Sequence, residues 1–367
     1  MSTSLPSTND YPRLFLNDVP LLDLRAPVEF AEGAFPLAVN IPLLSDEERH
    51  RVGIRYKEQG QDAAIELGYR LVSAQEKSRR IALWSDWVRA HPDGVLYCFR
   101  GGLRSRLTQK MLAEEAGLIV PRVVGGYKAL RRFLLDMLSR RVAELPFVVL
   151  GGRTGCGKTA LIQTLDRSLD LEGFAHHRGS AFGRRPTPQP AQIDIDNRIA
   201  IALLRLSGAR PILVEDEGRA IGSREVPLSL FGVMQNSPLV LLEASVHARA
   251  EQSFKDYVLD ALAEFGQLFG EEEGFERYAE QTRASLSRIH KRLGGMRHKH
   301  LTGLLEDSLD AFRHGDDAGM REFVLRLLVE YYDPMYDYQI GKKQGRIVFR
   351  GDRDEVLAWW NGQAAQT

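Results

Sequence analysis

Two stretches of this chain carry residue types that can do chemistry, and both are suited to anions. Tyr97-Cys98-Phe99-Arg100-Gly101-Gly102-Leu103-Arg104-Ser105 sets a thiol among glycines and two arginines. Gly152-Arg153-Thr154-Gly155-Cys156-Gly157-Lys158-Thr159 fits the phosphate-loop pattern G-x-x-x-x-G-K-[ST]. Each follows an apolar, strand-like run and opens a helix-like one. Backbone N–H groups converge at such a turn, so the second loop suits a phosphate chain and the first a smaller anion beside a thiol. In the phosphate loop, Gly152, Gly155 and Gly157 let N–H groups approach phosphate oxygens, Lys158 neutralises the terminal phosphate, and the Thr159 hydroxyl is placed to bind Mg²⁺. The pattern specifies a diphosphate without specifying ATP. In the thiol loop, the donors around Cys98, with Arg100 and Arg104 near by, stabilise negative charge on sulfur and hold an oxyanion brought to it. A buried structural cysteine is the plainer alternative, and the flanking glycines and arginines argue against it.

Further residues gain meaning only beside these loops. Glu215 and Asp216 follow the apolar run 212–214, where an acid would hold Mg²⁺ through water; ordinary strand-end solvation competes with that role. Residues 171–183 are dense in glycine and in anion-binding side chains, including His177, Arg178 and Ser180. Singly these are a surface histidine, a solvated charge and a cap. Basic residues cluster at Arg100, Arg104, Arg106 and Lys110, at Lys128, Arg131 and Arg132, and over 290–300, each of which alone reads as solvated surface. A formal net charge of zero does not exclude a locally basic face.

The elements that position these residues fall into three regions. The 367 residues, 44% of them hydrophobic, suit a globular protein of two or three domains. Residues 1–139 alternate short apolar strands with helical stretches and read as an α/β domain. Residues 140–245 start a second α/β unit at Phe147-Val148-Val149-Leu150, with the proline-rich stretch 185–190 as an internal loop. Residues 246–367 are mainly helical in period and rich in charge, with strand signals returning at Arg346-Ile347-Val348-Phe349. Both cysteines sit in the anion loops, which predicts no disulfide framework and a reducing cytoplasm. The polar start and the lack of a long apolar run predict no secretory signal and no membrane partner.

The first region resembles a rhodanese domain. Asp23-Leu24-Arg25-Ala26-Pro27-Val28-Glu29-Phe30, Gly33, Ala38-Val39-Asn40-Ile41-Pro42 and the closing Gly125-Gly126-Tyr127 carry the likeness beside the cysteine loop. Five residues separate Cys98 from Arg104, one more than in common single-domain rhodaneses, a width that admits a larger tetrahedral anion. The wider loop resembles that of rhodanese-fold phosphatases, but Tyr97 stands where cysteine-dependent phosphatases usually carry histidine, which weakens a phosphatase reading.

Together the thiol loop, the phosphate loop, residues 170–183 and residues 214–223 resemble the tRNA 2-selenouridine synthases across nearly the whole chain; Phe99 replaces the usual tryptophan. The resemblance implies an α/β fold with an N-terminal rhodanese-like domain, a P-loop NTPase-like parallel-sheet domain and a mainly helical C-terminal region that completes the P-loop domain and binds tRNA. It also implies replacement of sulfur by selenium at wobble 2-thiouridine with selenophosphate, through S-geranylation from geranyl diphosphate. Cys98 would then be catalytic, with Arg100, Gly101, Gly102 and Arg104 on the selenophosphate. Gly152, Gly155, Gly157, Lys158 and Thr159 would hold the diphosphate, Thr159 with Mg²⁺. His177, Arg178, Ser180, Glu215, Asp216 and Arg219 would surround that site. Arg131, Arg132, Lys291, Arg292, Arg297 and Lys299 would meet tRNA, and a selenophosphate-producing enzyme is an expected partner. A P-loop kinase or NTPase with a sulfur-handling rhodanese domain, and an RNA-binding protein with relic loops, are the rival readings.

Overall fold

The computed structural model describes residues 5–365. The chain forms two compact units, one made of residues up to 141 together with 191–206, the other of 142–190 together with the residues from 207 onward.

The sheet of the first unit runs in the order Ser7–Thr8, Arg122–Val123, Val95–Tyr97, Leu21–Asp23, Ala38–Asn40, all neighbours parallel. Parallel strands need cover on both faces. Leu21, Leu22 and Leu96 are accordingly buried, as is Trp84 of the helix Ala74–Ala90, whose indole N–H donates to the Ile41 carbonyl at 3.0 Å. A fully buried side chain of this size contributes on the order of 1.5–3 kcal/mol. The long helix Asp46–Leu71 opens with a capping box, Ser45 against Glu48, and is interrupted at Gly60.

Behind the strand ends lies a buried polar lattice. The Arg25 guanidinium donates to Asp23 (Nε to Oδ2, 2.9 Å), to the Glu29 carbonyl (2.9 Å) and to the Gly33 carbonyl (2.8 Å), and lies 3.7 Å from the Tyr127 ring centroid. Tyr97 donates to Asp23 Oδ2 at 2.7 Å, and Asn40 donates to the carbonyls of Asp23 and Arg25. A buried ion pair is tolerated when its remaining donors and acceptors are also met, as here.

The helix Gln192–Arg205 departs from the sequence-based division, which placed it in the region 140–245: it packs in the first unit. It buries Ile195, Ile199, Ala200 and Leu203, and its polar residues are stitched in as well. Asp194 accepts from the Ala34 N–H (2.6 Å), Asn197 donates to the Ala34 carbonyl (2.7 Å), and Arg205 donates to the Phe15 carbonyl (2.8 Å). Helical periodicity reveals that one face is buried, not which sheet buries it.

The second unit holds a parallel sheet in the order Ile347–Gly351, Leu239–Leu242, Phe147–Gly151, Ile212–Glu215, Ser168–Leu169. Its edge strand comes from the C-terminal region, so that region completes this sheet. The remaining residues build a helical layer around Phe254, Phe265, Leu301, Leu305 and Phe323. Two π-helical turns, Lys255–Leu259 and Leu328–Tyr332, interrupt it. Among the described residues no helix is long and apolar enough to cross a membrane.

Candidate functional site

In the first unit, Cys98 ends the strand Val95–Tyr97 and the helix Leu103–Ala116 starts five residues later, capped by Gly102. The cysteine is 3% exposed, and its sulfur lies 2.9 Å from Ser105 Oγ. The loop backbone is clamped through its carbonyls: Tyr127 N–H donates to the Cys98 carbonyl (2.9 Å), Lys128 N–H to the Phe99 carbonyl (3.0 Å), and Arg122 to the Gly101 carbonyl (2.9 Å). Among the described residues, the N–H groups of Phe99, Arg100, Gly101 and Gly102 donate to no protein acceptor, which leaves them for an anion. The clamp needs Gly126 at φ +58°, because a Cβ there would stand 2.2 Å from the Cys98 carbonyl oxygen and 2.3 Å from Gly101 N.

The two loop arginines diverge. Arg100 is exposed. Arg104 is turned onto Glu29, donating to its carboxylate at 2.6 and 3.2 Å. Burial opposes ionisation of Glu29, but Arg104, the Ala26 N–H and Arg49 outweigh it and hold this carboxyl below the usual range. Arg104 therefore reaches the loop with its charge already paired.

In the second unit the phosphate loop joins the strand Phe147–Gly151 to the helix Lys158–Ile162. Gly152, Gly155 and Gly157 all have positive φ, as their places in the pattern require. Lys158 Nζ donates to the Gly152 carbonyl at 3.0 Å, and Thr159 Oγ1 donates to Glu172 Oε2 at 3.2 Å. Arg249, buried, braces the loop from outside: it holds Asp333 bidentately at 2.7 and 2.8 Å and reaches the Thr154 carbonyl at 3.4 Å. Cys156 packs in the apolar core of this unit.

Around Lys158 gather three acids, Glu215, which is fully buried, and the half-buried Glu172 and Glu217. Glu215 Oε2 accepts from the Glu172 N–H at 3.0 Å, while its Oε1 has no partner. Burial, then repulsion from Glu172 and Asp170, pushes the Glu215 carboxyl up to about 8; Glu172 and Glu217 are raised too, burial again leading. Burial works against the charge of Lys158, yet the acidic groups around it, Cys156 and Tyr336 first, hold the ammonium protonated above its ordinary range. A hydroxyl, an unpartnered buried carboxylate oxygen and two further carboxyls fit a magnesium ion, which takes one or two carboxylates together with phosphate oxygens. Thr159 and Glu215, with Glu172, would hold it, and the bound ion would supply charge neutralisation to a phosphate in the loop.

Lys158, Thr159 and Glu172 open on a cavity of about 530 Å³ lined by the phosphate loop, His177, Arg178, Ser180 and Tyr336, among others. The π-helical turn Lys255–Leu259 brings Tyr257 into the same wall; π-turns of this kind often mark functional sites. His177 is buried with Nδ1 unpartnered, and burial followed by Arg178, Arg185 and Arg184 lowers it to about 4. Arg178 is paired with Glu264 at 2.8 Å.

Several expected residues are elsewhere. Asp216 does not join the acid cluster; it accepts from Lys343 at 2.6 and 2.7 Å. Alternation past the strand end places 215 and 217 together and 216 apart. Arg219 is exposed and paired with Glu225 at 3.0 Å. Arg131 is bound to Asp196 (2.6 Å) and Asn197 (2.7 Å), so it is structural, and the exposed Arg132 lies 3.8 Å from Asp136. Lys291, Arg292, Arg297 and Lys299 are exposed. Glu172 and Glu217 escaped sequence reading, although period-two alternation from Glu215 and the Asp170 cap before Glu172 were available as signals.

A parallel sheet with a phosphate-loop turn between strand and helix, together with a second α/β unit that holds a cysteine at a strand–helix turn, defines a two-unit α/β protein. The family profile of the tRNA 2-selenouridine synthase AAA domain matches residues 145–367. Relatives named tRNA 2-selenouridine synthase include proteins of Bordetella bronchiseptica, 55% identical over 97% of each chain, and of Bordetella petrii, 53% identical over 96% of this chain and 95% of its own. A third, from Azotobacter vinelandii, is 53% identical over 98% of both. The chain belongs to the tRNA 2-selenouridine synthase family of enzymes.

Proposed function

We propose that this enzyme replaces sulfur by selenium at the wobble 2-thiouridine of tRNA, using selenophosphate, and that the exchange passes through an S-geranyl intermediate made from geranyl diphosphate. The observation that carries the reading is the pairing of two built anion cradles, one around a thiol and one around a lysine with buried and half-buried carboxyls. The strand order of the first unit, with Asp23, Arg25, Glu29 and Asn40 locked behind the thiol loop, supports a rhodanese-like domain there.

In the first step the thiocarbonyl sulfur attacks the allylic carbon of geranyl diphosphate, the carbon–oxygen bond breaks, and the diphosphate leaves. Lys158 and the N–H groups of Gly155 and Gly157 take up the charge that develops on the leaving oxygens. Alkylation turns a poor leaving group into a good one. In the second step the phosphoryl group of selenophosphate passes to water and selenium, keeping its bonding pair, adds to C2 of the nucleoside; geranyl thiol leaves. Cys98 holds the released selenide beside C2 without forming an S–Se bond, while the free N–H groups of 99–102 and Arg100 hold the phosphate part.

Mass spectrometry of wobble nucleosides tests both steps. Cells carrying Cys98→Ala are expected to accumulate geranylated 2-thiouridine and to lose 2-selenouridine, whereas Cys156→Ala should retain both activities because its sulfur packs in the core. Normal 2-selenouridine in the Cys98→Ala strain would refute the role of the thiol. An absolute need for ATP hydrolysis in purified geranylation would favour a kinase-like activity instead.

A further inference from the structure

Beside the phosphate-loop cavity lies a second cavity of about 510 Å³ that no step above uses. Its lining includes Arg184, Arg185, Arg224 and Arg288 and, among the described residues, no aspartate or glutamate. On a chain of zero net charge that is a concentrated positive surface. The four guanidinia come from three separate segments: the loop after His177, the hairpin of Ala220–Ile221 and Arg224–Glu225, and the end of the helix Glu271–Arg288.

Among the described residues, three of the four carry no carboxylate partner. Arg224 Nε donates to the Pro190 carbonyl at 2.6 Å and Arg288 to the Ala181 carbonyl at 3.1 Å, so neutral groups fix these side chains and leave their charge uncompensated. Arg184 is exposed, and only Arg185 is paired, with Glu264. The wall is held in shape by Gln189, which donates to the carbonyls of Ala175 and Ile221 and accepts from Ser223 N–H at 2.7 Å. His177, Gly179, Ser180 and Arg185 line both cavities, so the basic cleft opens onto the diphosphate site. His177, 8% exposed, lies at this junction with its Nδ1 unpartnered.

We propose that this cleft binds the sugar-phosphate backbone of the tRNA anticodon loop and delivers the wobble nucleotide past His177 to the phosphate-loop cavity. The proposal rests on the functional reading above. The neighbouring cavity has the phosphate loop for a diphosphate, and guanidinia from three segments on one cleft, Arg224 and Arg288 among them fixed by neutral groups, match successive phosphates better than one more small anion. The exposed basic stretch from His290 begins two residues beyond Arg288 and continues the positive surface along the same chain direction.

The test is the salt dependence of binding of a 2-thiouridine-containing tRNA to the full chain, for wild type, Arg184→Ala/Arg288→Ala and Arg184→Lys/Arg288→Lys. Each guanidinium withdrawn from a phosphate of a single strand lowers the slope of log K against log salt by about 0.7, so the alanine pair should lower it by about 1.4, with affinity falling by roughly 10- to 100-fold. The lysine pair should keep most of the slope. Inorganic diphosphate should bind the alanine pair as it binds wild type. If the wild type binds and modifies tRNA but the alanine pair shows the same affinity and slope, the cleft assignment is overturned alone. An alanine pair that no longer binds diphosphate yet binds tRNA as before would make the cleft a small-anion site and overturn it too. A wild type that neither binds nor modifies tRNA overturns the functional reading together with the cleft.

Discussion

At the residue scale the two sites differ in how they carry charge. The thiol loop offers free backbone N–H groups and one unpaired arginine, whereas the phosphate loop sets a single ammonium against one buried and two half-buried carboxyls. On the proposed mechanism, Lys158→Ala removes the charge that would meet a leaving diphosphate; geranylation of thiolated tRNA is then expected to slow by about 10²–10³, as for loss of one positioned electrostatic donor. Selenation of tRNA supplied already geranylated should persist in that variant, which single-turnover assays with the two substrates will show. Glu215 supplies a prediction in pH. Its carboxyl, raised to about 8 in the folded chain, keeps its proton where the unfolded chain has lost it, so the folded state binds more protons between about 4.5 and 8 and stability falls as pH rises through that window. Glu215→Gln cannot titrate. Its melting temperature should gain on wild type as pH is raised from 5 to 8, by about 2–4 °C for each kcal/mol of strain relieved, measured without ligand.

At the scale of elements, the start of the helix Gly126–Glu144 matters because its first N–H groups clamp the cysteine loop. Gly126→Ala forces a side chain into the left-handed region and into the Cys98 carbonyl, a cost of about 1–3 kcal/mol before any clash is counted. Selenation should drop with a lower melting temperature while geranylation continues, since the phosphate loop belongs to the other unit. In the sequence the pair Gly125-Gly126 stood out as the close of the rhodanese likeness. That its second glycine touches the cysteine loop, about 25 residues earlier in the chain, was not legible, because sequence patterns record local conformation and not which backbone lies alongside.

At the scale of the whole molecule the chain leaves the first unit after residue 141, returns for residues 191–206, and leaves again. The returning helix is held by buried polar groups, so its removal should loosen the thiol-bearing unit. Asn197→Ala strips Arg131 of an acceptor and the Ala34 carbonyl of a donor at a fully buried position. The expected cost is about 1–3 kcal/mol. Amide hydrogen exchange should quicken around residues 33–37 and in the helix Gly126–Glu144, with little change in the sheet that carries the phosphate loop.

The sequence by itself determined the two glycine-rich loops, the α/β class, the helical C-terminal region and the positive φ of Gly152, Gly155 and Gly157 ahead of Lys158, because each depends on local spacing: glycines for positive φ, a strand before, a helix after. Only the tertiary structure decided that Glu217 and Glu172, not Asp216, join Glu215 at Lys158, that Arg131 is tied up by Asp196, and that Arg104 arrives already paired with Glu29. It also assembled Arg184, Arg224 and Arg288 from distant segments into one basic cleft. Those outcomes depend on which charges meet in space and which are left uncompensated, and Coulomb interaction follows distance through the fold rather than separation along the chain.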